Sequence, residues 1–238
     1  MTLAGHLEEL RRRLGLSLLA WLAATGVSFA YAGQLIAWLH WPAVRYIPQL
    51  AALSPTEPLV AYLRVAALGG FVLATPVLLA QLWGFVRPGL KPSERSLGTI
   101  VIWWGSAQFL LGGAVAYFIL LPVSLRVLLS VGAQMIVPII SVDRYLSFAT
   151  GLVFWCGMIF ELPVVLSLLA KVGIVTPEWL RQQRPYAVLV LVIAAALITP
   201  TTDPVNLLLM AVPLVGLYEL SIVIARWMRP RAMDRGGR

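Results

Sequence analysis

The chain has 238 residues, 60% of them hydrophobic and only 12% charged, a balance too apolar for a soluble globular domain. Its net charge of +8 reflects orientation in a bilayer and attraction to anionic lipid more than nucleic-acid binding. One cysteine, Cys156, allows no intrachain disulfide and no Cys-based metal site. At the start, HLEELRRRL occupies 6–14, with Leu3, Leu7, Leu10 and Leu14 at i, i+4, i+7 and i+11. A helix puts them in one stripe with Glu8, Glu9 and Arg12 off it, so the segment lies on a membrane surface and leads into a span.

Long uncharged runs follow at 14–44, 65–86 and 96–125, and another at 145–170 is interrupted only by Glu161. Each covers the ~20 residues a spanning helix needs. Two shorter runs, 185–202 and 205–217, flank the turn-rich TPTTDP at 199–204 and read as two short helices or one broken one. The distribution of Lys and Arg decides between these, because they accumulate in loops that stay in the cytoplasm. Fourteen of the 18 basic residues fall on one side only with six spans and both ends inside; Arg45, Arg64, Arg126 and Arg144 remain outside. The expected fold is an all-α membrane protein of six transmembrane helices at about 14–40, 60–86, 96–121, 146–170, 185–199 and 204–224. The last two are short, and bent helices form a concave bundle in one polytopic domain over 1–238. A cleavable signal peptide is the competing reading of the start, but the uncharged run continuing to Val44 suits a retained helix better.

A capping residue precedes proline at Ser54-Pro55, Thr176-Pro177 and Asp203-Pro204, and each pair reads as a helix start. At 54–57 the motif extends to SPTE, in which the Ser54 hydroxyl accepts from the N3 amide and Glu57 reaches back to the N-cap amide. Ser54 and Glu57 are therefore expected to be a structural cap in an outer loop, 42–58, that holds a short ordered helix. Pro76, Pro163 and Pro213 lie inside spans, where each frees a carbonyl and bends its helix.

Glu161 stands ten residues before Lys171, about 15 Å below the inner interface at ~1.5 Å per residue. An ionised carboxylate there costs ~2.5 to 3.5 kcal/mol on insertion scales, so the group is expected neutral and facing protein or water. It reads equally as a carboxyl bonded to a neighbouring helix and as a polar spot in a groove that accommodates a passing segment or proton. On the basic side, Glu8 has Arg11 and Arg12 at i+3 and i+4, and Glu9 has Arg12 and Arg13. Helix geometry alone reads both as solvated pairs worth a few tenths of a kcal/mol. Glu94, beside Lys91 and Arg95, reads the same way.

Five motifs in order give a further reading: HLEELRRRL at 6–14, FVRPGLKPSER at 85–95, FELP at 160–163, GIVTPEWLRQQRPY at 173–186 and ITPTTDP at 198–204. Together they resemble the TatC subunit of the twin-arginine protein translocase over nearly the whole chain. The resemblance implies a receptor in the cytoplasmic (inner) membrane, both termini cytoplasmic, for folded proteins whose signal peptides carry consecutive arginines. It also implies driving by the proton gradient, no cofactor or metal, and TatA- and TatB-like single-span subunits as partners, with self-association open. By motif position Glu9 and Glu94 correspond to the carboxylates that recognise those arginines, Arg11 and Phe85 fall on functionally sensitive positions, and Glu161 matches the polar site in the membrane groove. The chain departs from the pattern with Leu207 where some members carry Gln and Leu59 where many carry Phe.

The competing class is a proton-coupled small-solute secondary transporter with Glu161 as relay, which predicts two halves of matching topology that the sequence does not show. A membrane enzyme is the third reading, but neither His6 nor His40 has a metal-ligand neighbour at useful spacing, and no nucleophile elbow or phosphate loop is present.

Overall fold

A computed structural model describes residues 3–89, 98–130, 139–198 and 204–228. The first helix, α1 (Leu3–Ala30), runs from the amphipathic segment straight into the apolar one. A turn at Tyr31 separates it from α2 (Ala32–His40), whereas the sequence suggests one span to residue 40. No proline or glycine causes the break. Tertiary bonds hold α2 instead: the hydroxyls of Tyr117 and Tyr145 donate to the carbonyls of Trp38 and Leu39, both at 2.6 Å. The Leu39 carbonyl is among those a helix C-terminus otherwise leaves orphaned.

The expected helix within 42–58 is reduced to a 3-10 turn, Trp41–Ala43, and 44–56 is irregular. Next, α3 (Glu57–Val86) begins after Thr56, not after Ser54. The start is displaced because Pro58, and not Pro55, takes a place in the first turn, where its fixed φ suits the helix. Ser54 thus caps no helix; its Oγ lies 3.0 Å from Thr56 Oγ1. Glu57 Oε2 accepts from the Leu53 amide at 3.2 Å and from Ser141 Oγ at 2.8 Å, so it joins the segment before α3 to the start of α6 rather than closing a capping box.

After a 3-10 turn at Arg87–Gly89, α4 (Gly98–Val115) passes through a wide π turn, Ala116–Leu120, into α5 (Leu121–Ser130). Pro122 has no amide hydrogen to continue the ladder, and the wide turn absorbs that loss while the helix runs on past the expected end at 121. The fourth span is split into α6 (Val142–Phe160) and α7 (Leu162–Val172), with Glu161 at the junction. Pro163 is responsible: its ring and missing amide disrupt the preceding turn, so the break falls two residues upstream. Thr176 caps α8 (Pro177–Gln182) as expected, its Oγ1 accepting from the Trp179 amide at 3.1 Å. Then come α9 (Arg184–Ile198) and α10 (Pro204–Met228). The 15 residues of α9 rise only about 22 Å.

Among the described residues, five helical stretches are long and apolar enough to cross a membrane, and α9 supplies a shorter apolar one. α1 lies along α3, α4 and α6 pack on α3 and on each other, and α7 and α9 pack on α10. Two glycines permit this closeness. A Cβ on Gly70 would lie 2.5 Å from the Thr25 backbone nitrogen, and one on Gly112 would lie 2.7 Å from the Cys156 carbonyl oxygen.

Candidate functional site

The first turns of α1 and the end of α3 meet at one end of the bundle, where the rings of His6 and Phe85 stack with centroids 4.4 Å apart. Glu9 lies on the face of α1 turned toward this contact zone, and its side chain is 20% exposed. One guanidinium holds its Oε1 twice: Arg13 Nη2 donates at 2.7 Å and Nε at 3.1 Å. Arg13 in turn reaches α3, where its Nη1 donates to Gln81 Oε1 at 3.4 Å. It lies over Gly84, whose missing side chain makes the room, since a Cβ there would be 1.9 Å from Nη1. Glu9 Oε2 is buried and has no hydrogen-bond partner among the described residues.

The structure therefore joins Glu9 to Arg13 out of the two arginines the spacing offers, and shields the pair by α3. Glu8, Arg11 and Arg12 point outward and are exposed. Phe85 is brought to the same end as Glu9 by its stacking on His6. Glu94 lies outside the described residues, in the segment between the turn at Arg87–Gly89 and α4. Sequence reading missed Gln81 and Gly84. Nothing in the pattern marks them, because their part depends on the α1–α3 contact; Arg13 was visible as the i+4 partner of Glu9.

Glu161 is a second unusual carboxylate. It is 7% exposed, and neither Oε1 nor Oε2 has a hydrogen-bond partner among the described residues. Its Oε2 lies 3.0 Å from where a Cβ on Gly105 would stand, so the group rests against the backbone of α4. Gln108, one turn further along α4, is also buried with an unpartnered Oε1. Buried polar atoms without partners are uncommon in any fold, and these lie on neighbouring helices of an apolar bundle.

At the opposite end, Arg64 Nη1 pairs with Asp143 Oδ1 at 2.6 Å, and the backbones of Ala51 and Val142 exchange a hydrogen bond at 2.9 Å. Together with Glu57 and Ser141 these bonds fasten the loop before α3 to the start of α6. Among the described residues, no group of three or more His, Cys, Asp or Glu side chains is arranged to hold a metal ion.

The family model for the Sec-independent protein translocase protein TatC matches residues 5–213. The chain belongs to the TatC family. It is 38% identical to the Sec-independent protein translocase protein TatC of Carboxydothermus hydrogenoformans over 231 residues, 97% of this chain and 95% of that one. To the TatC of Aquifex aeolicus it is 39% identical over 230 residues, 95% of each. A crystal structure of the twin-arginine translocase receptor TatC superimposes with a TM-score of 0.83 at 38% identity, covering 94% of this chain and 99% of that chain. A second crystal structure of that receptor, determined in detergent, gives a TM-score of 0.84 at 39% identity, with 92% and 99% covered. The six-span all-α architecture is that of TatC. Membership makes the chain a multi-pass membrane protein and a component of a protein translocase, not an enzyme.

Proposed function

We propose that this TatC-family chain is the receptor that captures twin-arginine signal peptides at the cytoplasmic face of the inner membrane, with both termini cytoplasmic. Glu9 and Glu94 each take one arginine, Arg11 and Phe85 border the site, and Glu161 is the polar spot that the apolar core of the peptide meets within the bundle. The observation that supports this is the state of Glu9: a partly shielded carboxylate already holding a guanidinium through two nitrogens. A site that accommodates one planar fork accommodates another, and charge-assisted pairs of this kind contribute ~1.5 to 3 kcal/mol when shielded from water. Lysine cannot reproduce the two-nitrogen grip. The surrounding Arg11, Arg12 and Arg87 repel cationic peptides in general, so two acids placed among them act as selective openings.

Six spans of this length cannot enclose a pore for a folded domain, so transport requires other subunits. Single-span TatA- and TatB-like proteins are the proposed partners, with the short α9 and the start of α10 as docking edges, and the proton gradient drives the cycle. The decisive experiment is photocrosslinking of a twin-arginine signal peptide to the protein in native membranes. Glu9→Gln or Glu94→Gln abolishes the crosslink while insertion is unchanged, and a two-lysine peptide gives none with the wild type. Retained crosslinking in both variants would sink the assignment.

A further inference from the structure

We infer that Arg13 is an internal stand-in for the ligand's arginine, and that it latches Glu9 until a ligand arginine displaces it. The inference rests on the reading of Glu9 as an arginine site and adds a residue that regulates it. Arg13 grips one oxygen of Glu9 with Nε and Nη2, so a guanidinium of this chain already engages the carboxylate that a ligand arginine would need. Its other nitrogen is fastened to Gln81 on α3, and Gly84 leaves a seat for the guanidinium. The remaining oxygen of Glu9 is buried and unpartnered, so that oxygen is not open to a ligand while Arg13 holds the other.

Capture at Glu9 is therefore an exchange of one guanidinium for another. A ligand arginine gains only the difference between its own contact and the one Arg13 gives up, which makes the exchange weak by itself. A lysine, held by one point contact, loses the exchange and leaves Arg13 in place. Gln81 and Gly84 set how firmly the latch holds, because they fix the far side of the same guanidinium. Arg13 thus tunes affinity from within the site.

The test is equilibrium binding of a twin-arginine peptide to the purified full chain in lipid nanodiscs. Removing the stand-in by Arg13→Gln tightens binding about tenfold, since the ligand no longer competes for a shielded charge-assisted pair. Gly84→Ala tightens it in the same direction while keeping every charge, because the new methyl occupies the guanidinium's seat and only a flexible side chain has to move. Arg12→Gln removes an equal charge from an exposed position of α1 and serves as the control, with a change under twofold. In a Glu9→Gln background the gain from Arg13→Gln disappears. A purely structural Arg13 gives the opposite result, with both Arg13→Gln and Gly84→Ala binding equally or more weakly than wild type while folding normally, and that outcome overturns the inference. If Glu9→Gln itself leaves binding intact, it is the arginine-site reading that fails.

Discussion

Glu161→Met is expected to make the protein more stable and less active. The carboxyl group is buried at the α6–α7 junction, in the fourth span, and neither oxygen has a partner among the described residues. A buried polar group left unsatisfied costs about 1 to 3 kcal/mol, and replacing it with an apolar group of similar shape removes that cost. Methionine is the suitable replacement, because its unbranched chain fills the same slot against Gly105 and Leu79 without the Cβ branching that would crowd α4. For a chain of 150 to 250 residues each kcal/mol moves the midpoint by about 2 to 4 °C, so the expected rise in Tm is about 2 to 12 °C. Thermal unfolding in detergent, followed by loss of the monodisperse peak on size exclusion, measures it. Glu161→Gln keeps the polar burden and shifts the midpoint little. Export of a twin-arginine reporter falls in the Met variant. A Met variant that melts earlier than wild type would refute the reasoning, for it would show that the carboxyl is bonded to a neighbouring helix and holds the bundle together.

Gly70→Val should separate α1 from α3, because its Cβ would stand 2.5 and 2.6 Å from the backbone N and Cα of Thr25, atoms that cannot swing aside. Overpacking of this kind costs about 1 to 3 kcal/mol, visible as a lower melting midpoint and as weakened crosslinking at Glu9, whose surroundings depend on the same helix pair. Glu57→Ala removes the acceptor for the Leu53 amide and the Ser141 hydroxyl, a loss of about 1 kcal/mol per bond. Hydrogen exchange should then speed up at the amides of Ala51 and Val142, which bridge the same two segments, while exchange in α10 stays unchanged.

Hydropathy and the side-to-side count of Lys and Arg made the six spans legible, since both follow from what a bilayer excludes and not from how helices touch. The breaks were only partly legible. Pro163 announced a bend, and the structure places it two residues upstream at Glu161; Pro122 announced nothing, because a π turn absorbs it. The turn at Tyr31 had no sequence mark at all, since two tyrosines more than 70 residues away hold α2 in place. Ser54 was read as a cap because the SPTE pattern fits one, but the pattern carries no information about Pro58 competing for the first turn. Gln81 and Gly84 were out of reach for a similar reason: each matters through a neighbour on another helix.

The i,i+4 geometry of α1 read Glu9 as an ordinary ion-pair partner, and motif position read it as an arginine site. The structure carries the first reading, and the proposed site builds on it. Glu9 does make the helix pair, yet the pair is partly withdrawn from water against α3 and anchored there by Gln81. An exposed pair of this spacing is worth a few tenths of a kcal/mol and could be lost without consequence. Shielding raises its strength, and with it the threshold a ligand has to pass to displace Arg13. The packing of α1 on α3 through Gly70 and Gly84 is therefore not only what holds the first two spans together. In the proposed latch it makes a surface pair one that another arginine replaces and a lysine does not, so a mutation deep in the membrane that shifts α1 should change signal-peptide affinity without touching either carboxylate.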